Sequence, residues 1–164
     1  MKTYRKNSLR IVSGGQTGVD RAALDAALRC GVAVGGWCPE GRLAEDGVID
    51  ARYPLQELAG GGYGQRTQQN VIDSDATLII YFATLSGGTR LTRNCCQLEL
   101  KPCLLIDALQ FSIGHAVQEI ARFIGSHDIR VLNVAGPRAS KTAAAYGYTY
   151  ELITDLLDLP SQPS

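Results

Sequence analysis

The run Ala76–Phe82 carries no polar residue after Thr77, and Ser86-Gly87-Gly88-Thr89 follows it as a loop. A strand that is apolar on both faces must be covered on both. That is the condition of a parallel strand inside a sheet with helices on either side. An antiparallel sheet with one wet face alternates polar and apolar residues instead. This one segment therefore predicts an α/β domain.

The rest of the chain repeats the theme. Strands are predicted at Leu9–Val12, Val32–Val34, Pro102–Ile106 and Arg130–Ala135, in addition to Ala76–Phe82. Helical spacing places Val19, Ala22, Ala23, Ala26, Ala27 and Cys30 on one stripe, and Gly31 stops that helix. Further helices are predicted over Tyr63–Asp73, Leu91–Leu100 and Ile113–Ile124, with a last one opening at Gly136-Pro137 and running to Leu157. Residues 35–62 read as a long stretch rich in glycine and charge, interrupted only by Tyr53-Pro54-Leu55. Alternating elements of this kind imply right-handed βαβ crossovers and a single doubly wound sheet, mostly parallel, of about five or more strands with helices on both faces. The chain has 164 residues, enough for one domain, predicted over residues 1–159 with a frayed Pro/Ser-rich tail at 160–164. Ligands of such sheets bind beyond the C-terminal strand ends.

Three strand-to-helix turns are predicted at that edge. The first is Ser13-Gly14-Gly15-Gln16-Thr17-Gly18-Val19-Asp20. Glycines let a backbone approach a ligand closely, and a helix N-terminus offers unpaired N–H groups to an oxyanion. The spacing matches neither GxxxxGK[ST] nor GxGxxG, so no standard nucleotide loop is identified. The plain alternative is a glycine-rich turn capped by Thr17. The second turn is Ser86-Gly87-Gly88-Thr89, with Thr92 and Arg93 one helical turn on. The third, Asn133–Thr142, places Arg138, Ser140 and Lys141 beside Pro137, a residue suited to a first helical turn. Each turn alone also reads as a solvated cap; together they predict an anion-binding cleft.

Other positions are more open. Trp37 stands in the segment Gly36–Gly47 and reads equally as a ring-stacking group or as packing. Glu40, Glu45 and Asp46 in that segment read as a solvated charged loop before acid/base or metal work. Arg66, Thr67 and Asn70 share a helix face that points either into the cleft or to solvent. His115 and His127 have no triad-like partners and read as surface or capping residues. No GxSxG or HExxH motif is present, and no catalytic or metal-ligating residue is assigned.

Composition excludes several classes. Sixteen Lys+Arg balance sixteen Asp+Glu, so a general nucleic-acid binder, which carries a basic excess, is not expected. The segment Met1–Arg10 is followed by no apolar h-region, and no apolar run approaches the ~20 residues of a membrane span. The expected compartment is the cytoplasm. Five cysteines without a CxxC pair read as thiols, neither a zinc site nor disulfides.

The motifs SGGQTGVDRAALDAAL, GGWCPEGRLAEDG, YPL, RTxxN with DSDATLI, SGGT, KP and NVAGPR occur in that order between about Ile11 and Leu157. In this combination the chain resembles the molybdenum cofactor carrier family. The resemblance implies a Rossmann-like homo-oligomer, often tetrameric, that binds the molybdenum cofactor (molybdopterin, a phosphorylated pterin dithiolene carrying the metal) for storage or protection. Molybdoenzymes or cofactor-synthesis proteins are its implied partners. The wider group includes lysine-decarboxylase-like phosphoribohydrolases, which carry PGGxGTxxE. Laid on Ser86–Asn94, that motif keeps Gly87 and Gly88 but puts Asn94 where the catalytic Glu would stand. The departure favours binding over hydrolysis.

The expected function is thus a binding protein, not an enzyme, for an anionic phosphorylated cofactor. Ser13, Gly14, Gly15, Gln16, Thr17, Gly18, Asp20, Ser86, Gly87, Gly88 and Thr89 would form its cradle. Arg66, Arg138, Ser140 and Lys141 would add charge or donors, and Trp37 would cover a ring. Two readings compete: hydrolysis of a nucleotide phosphate or N-glycoside, and direct binding of molybdate, tungstate or phosphate.

Overall fold

The computed structural model describes residues 6–160. The expected tail beyond Pro160 and the first five residues lie outside the described residues.

Strand β1 is Arg10–Val12, and α1 is Val19–Arg29. Four alanines of α1, Ala22, Ala23, Ala26 and Ala27, are fully buried. Their small side chains let α1 lie close against the last helix of the chain. Strand β2 is Ala33–Gly35. The glycine-rich stretch that follows holds more regular structure than its composition suggests: β3 (Trp37–Pro39), β4 (Leu43–Ala44), β5 (Gly47–Val48) and β6 (Gln56–Leu58). Strands β3 and β6 pair in parallel, while β4 and β5 form a hairpin whose tip is Glu45-Asp46. Helix α2 (Tyr63–Ile72), β7 (Ala76–Tyr81), α3 (Gly87–Leu98), β8 (Cys103–Asp107), α4 (Ile113–Ser126), β9 (Val131–Ala135) and α5 (Ala145–Leu157) complete the chain.

The five-stranded central sheet is parallel throughout, in the order β2-β1-β9-β7-β8. Counted from β9, this order reads 3-2-1-4-5, that of a doubly wound Rossmann-like sheet. The α1, α4 and α5 helices pack together, and α2 packs with α3. Strand β7 explains why two layers are needed. Leu78 and Ile80 join the main core, whereas Thr77 turns to Cys96 on α3. A second apolar cluster, Val71, Cys95 and Cys96, forms there between α2 and α3. The fold expectation is met: one α/β unit with helices on both faces.

Two helix starts differ from expectation by a helical turn or more. Helix α3 begins at Gly87 rather than Leu91. Helix α5 begins at Ala145, eight residues after Pro137. The Pro137 carbonyl instead accepts the first amide of α1, from Val19 at 3.2 Å. The amides of Ala139 and Ser140 go to the Thr17 hydroxyl and the Glu45 carboxylate. Side chains from distant elements thus capture the donors that a helix start would have presented.

All five cysteines are thiols, none in a disulfide; Cys38, Cys95 and Cys96 are buried. No helix among the described residues is long and apolar enough to cross a membrane.

Candidate functional site

A cavity of about 650 Å³ opens beyond the C-terminal ends of β7 and β9. This is the switch point, where the strand order reverses, and the size is in the range of small-molecule sites. All three anticipated turns contribute: Gln16 and Asp20 from the first, Ser86–Thr89 from the second, Arg138 and Lys141 from the third.

The second turn is the open one. Ser86 occupies the N-cap position of α3 but makes no capping hydrogen bond with its side chain. Ser112, the same residue type at the start of α4, accepts the His115 amide in the usual way. Among the described residues, the amides of Gly87 and Gly88 have no protein acceptor, and those of Thr89 and Arg90 reach only the Ser86 carbonyl. The α3 N-terminus therefore faces the cavity with donors unspent and its dipole uncompensated.

The first turn spends three of its amides internally. The Gly15 amide donates to Ser13 Oγ, that of Gln16 to Asp20 Oδ2, and that of Thr17 to Gln16 Oε1. Ser13 is fully buried and its hydroxyl donates to the Asp20 carbonyl. What this turn offers the cavity is an ion pair. Arg66 on α2 reaches Asp20 Oδ2 at 3.4 Å, with the two side chains 13% and 6% exposed. Its guanidinium lies directly on Gly14, where a Cβ would stand 1.4 Å from Nη1. Only glycine can occupy position 14 while Arg66 keeps this seat. Burial pushes the Asp20 carboxyl above the usual carboxylate range, and the Arg66 charge opposes that shift.

The third turn is tied to the β4–β5 hairpin. Thr17 Oγ1, the Ser140 amide and Ser140 Oγ all donate to the Glu45 carboxylate, and the Arg138 guanidinium lies 4.0 Å from it. The Ser140 and Thr17 hydroxyls hold the Glu45 carboxyl below the ordinary glutamate value. Beside it, Arg21 grips Asp46 at 2.9 and 3.2 Å and also donates to the Gly15 carbonyl. The hairpin tip thus bolts the first turn to the third. Lys141 stays exposed at the rim of the cavity.

Gln16, Asp20, Arg66, Ser86, Gly87, Gly88, Thr89, Arg138 and Lys141 come together around the cavity. Gly14 lines a water-sized recess beneath Arg66. Ser13, Gly15, Thr17, Gly18, Trp37 and Ser140 do not line the cavity. Trp37 pairs its backbone with the Asn70 side chain and donates its ring N–H to Asp73 at 2.7 Å. The aromatic side chains that do line the cavity are Tyr63, Tyr81 and Phe82. Residues at the C-terminal end of a buried parallel strand are positioned for this, and that was the available signal for Tyr81 and Phe82. Asn94 is exposed and outside the cavity lining, and among the described residues Asp20 is the single lining carboxylate.

Residues 11–157 match the model of the circularly permutated YpsA SLOG family. A crystal structure from Syntrophus aciditrophicus SB, of a protein named as a molybdenum carrier, is 45% identical in sequence, with a TM-score of 0.90 over 96% of this chain and 98% of that one. No curated protein matches the chain. The β2-β1-β9-β7-β8 order has the form that a circular permutation produces, with the first strand of the doubly wound order carried at the end of the sequence.

Proposed function

The chain belongs to the circularly permutated YpsA SLOG family, and on that premise we propose that it is a carrier binding the molybdenum cofactor, a phosphorylated anionic pterin, in the switch-point cavity. The observation that carries this reading is the convergence of three cationic side chains, Arg66, Arg138 and Lys141, with the uncapped α3 N-terminus around one cavity. The phosphate would sit at Ser86–Thr89, where amides are unspent. Arg138 and Lys141 would supply long-range attraction at the rim. Tyr63, Tyr81 and Phe82 would flank the ring, taking the part anticipated for Trp37.

The donor set fits such a cargo. An oxyanion meets N–H groups and cations, and a heterocycle meets aromatic and polar side chains. The exposed position of Asn94 supports binding rather than turnover, because no carboxylate from α3 reaches the cavity. A homo-oligomer, tetrameric as the resemblance implies, is part of the same proposal. Native mass spectrometry of protein purified without added ligand tests both. A retained mass matching the cofactor, together with molybdenum by elemental analysis, is the expected result. Release of adenine from adenosine monophosphate at a rate above buffer, with no retained cofactor, would favour the hydrolase reading instead.

A further inference from the structure

Resting on the carrier reading, we propose that Asp20 and Arg66 form a ring-reading pair that selects heterocycles with an amide-like edge, a ring N–H beside a ring carbonyl. An oxopurine and an oxopteridine share this edge; an aminopurine lacks it.

The argument begins from what the two side chains leave unspent. Both hydrogen bonds to Asp20 end on Oδ2, from the Gln16 amide and from Arg66 Nη1. Oδ1 accepts none from the described residues, although the side chain is 94% buried, that is 6% exposed, and lines the cavity. Among the described residues Arg66 donates only through Nη1, and its buried Nε has no partner. A buried polar atom without a partner is costly, and native structures rarely keep one without a use. Here an unused acceptor and unused donors stand on adjacent groups at the cavity wall.

That juxtaposition is directional. A carboxylate only accepts and a guanidinium only donates. A ring edge that donates N–H to Asp20 and accepts at a carbonyl from Arg66 satisfies both. The same pairing chemistry lets Arg recognise the carbonyl edge of guanine and lets Asp accept from base N–H groups. An aminopurine edge inverts the pattern, since its ring nitrogen accepts and its amino group donates. It would set lone pair against carboxylate and N–H against guanidinium. Rejection follows for a ring held in one orientation by its phosphate at Ser86–Thr89, because the buried partners are then left unpaired.

Two constraints hold the pair in register. Gly14 seats the guanidinium, and the Gln16 amide fixes Asp20 Oδ2. The phosphate-binding end at Ser86–Thr89 belongs to other elements, so ring choice and anion binding are separable.

The test is calorimetric titration of the full-length protein with guanosine, inosine and adenosine monophosphates, and with pterin. The three nucleotides carry the same phosphate, so their differences report the ring alone. The proposal expects the guanosine and inosine nucleotides to bind about tenfold or more tightly than the adenosine one. Binding by pterin points to an oxopteridine as the natural ring; its failure beside a strong guanosine preference points to an oxopurine. In Asp20→Asn, whose amide also donates, the preference should fall to within about twofold. Arg66→Lys, which loses the planar fork but keeps the charge, should show the same collapse and serves if the Asp20 variant does not fold. Equal affinity of the three nucleotides overturns the ring-reading pair yet leaves the anion-binding carrier standing. Absence of binding by every probe also overturns it, whereas loss of the carrier reading itself would show as no cofactor in the native mass spectrum.

Discussion

The Glu45 carboxylate is hydrogen-bonded by both the amide and the hydroxyl of Ser140, 95 positions along the chain. A carboxylate belonging to the protein thereby sits among the donors of the third turn, 4.0 Å from Arg138. The hairpin tip closes the first and third turns together and, at the same time, competes with any anion for that corner of the rim.

Glu45→Gln should therefore bind small oxyanions such as phosphate or molybdate more tightly than the wild type, because a negative charge beside Arg138 is removed. It should also melt at a lower temperature at pH 7. The sign follows from the depressed Glu45 pKa: its contribution is present above the ordinary glutamate value and fades as pH falls through the folded value. Melting curves of the two proteins should converge toward acid pH. Curves that stay parallel from pH 7 to pH 3 would remove Glu45 as a charged clasp.

Gly15→Val should damage the fold rather than the site. Gly15 has φ +75°, and a Cβ there would stand 2.5 Å from Leu55 Cδ1 and 3.1 Å from Ile49 Cδ1. Backbone strain and overpacking together cost about 2–5 kcal/mol. Denaturant unfolding should show that loss, while the protein still folded keeps its anion affinity.

Arg138→Ala should weaken all anions by a similar factor. The guanidinium is about half exposed and shared with Glu45, so the loss is about twofold to fivefold rather than more. Raising salt should shrink the difference, because exposed charges are screened. A loss confined to one anion in competition titrations would mean that Arg138 makes a specific contact instead.

Arg42→Met should loosen the segment between β4 and β6. The Arg42 guanidinium donates to the carbonyls of Ile49, Asp50, Tyr53 and Leu55. Four such bonds, partly solvated, contribute about 2–4 kcal/mol. Amide exchange should accelerate in concert over residues 42–55, with α4 unaffected.

The sheet was legible because its strands are continuous apolar runs, and β7 occupies Ala76–Tyr81 within the anticipated Ala76–Phe82. The first two turns were legible because glycine clusters followed those runs. The partners of each turn were not. Gly14 looked like room for a ligand, but the atom occupying that room is Arg66 Nη1, 52 positions later. Trp37 read equally as a ring-stacking group or as packing, and the sequence did not show that Asn70 and Asp73 hold its backbone and indole. Pro137 looked like a helix start, yet its carbonyl serves α1. Each of these contacts joins residues far apart in the chain, and such a contact leaves no periodicity in the local sequence.

The central position of β9 has a kinetic consequence. Among the described residues, strand β1 pairs only with β2 and β9, and β7 only with β8 and β9. On the ribosome, everything from β1 to β8 is made before residues 131–135 emerge. Until then two half-sheets stand apart, with β1 and β7 as additional open edges and no register relating them. The chain must wait for its last strand to join them, and the cavity, which opens where β7 and β9 end, forms in that same step. Synthesis should therefore pass through a late, aggregation-exposed intermediate, and slow translation after β8 should lengthen the time for which a chaperone is needed.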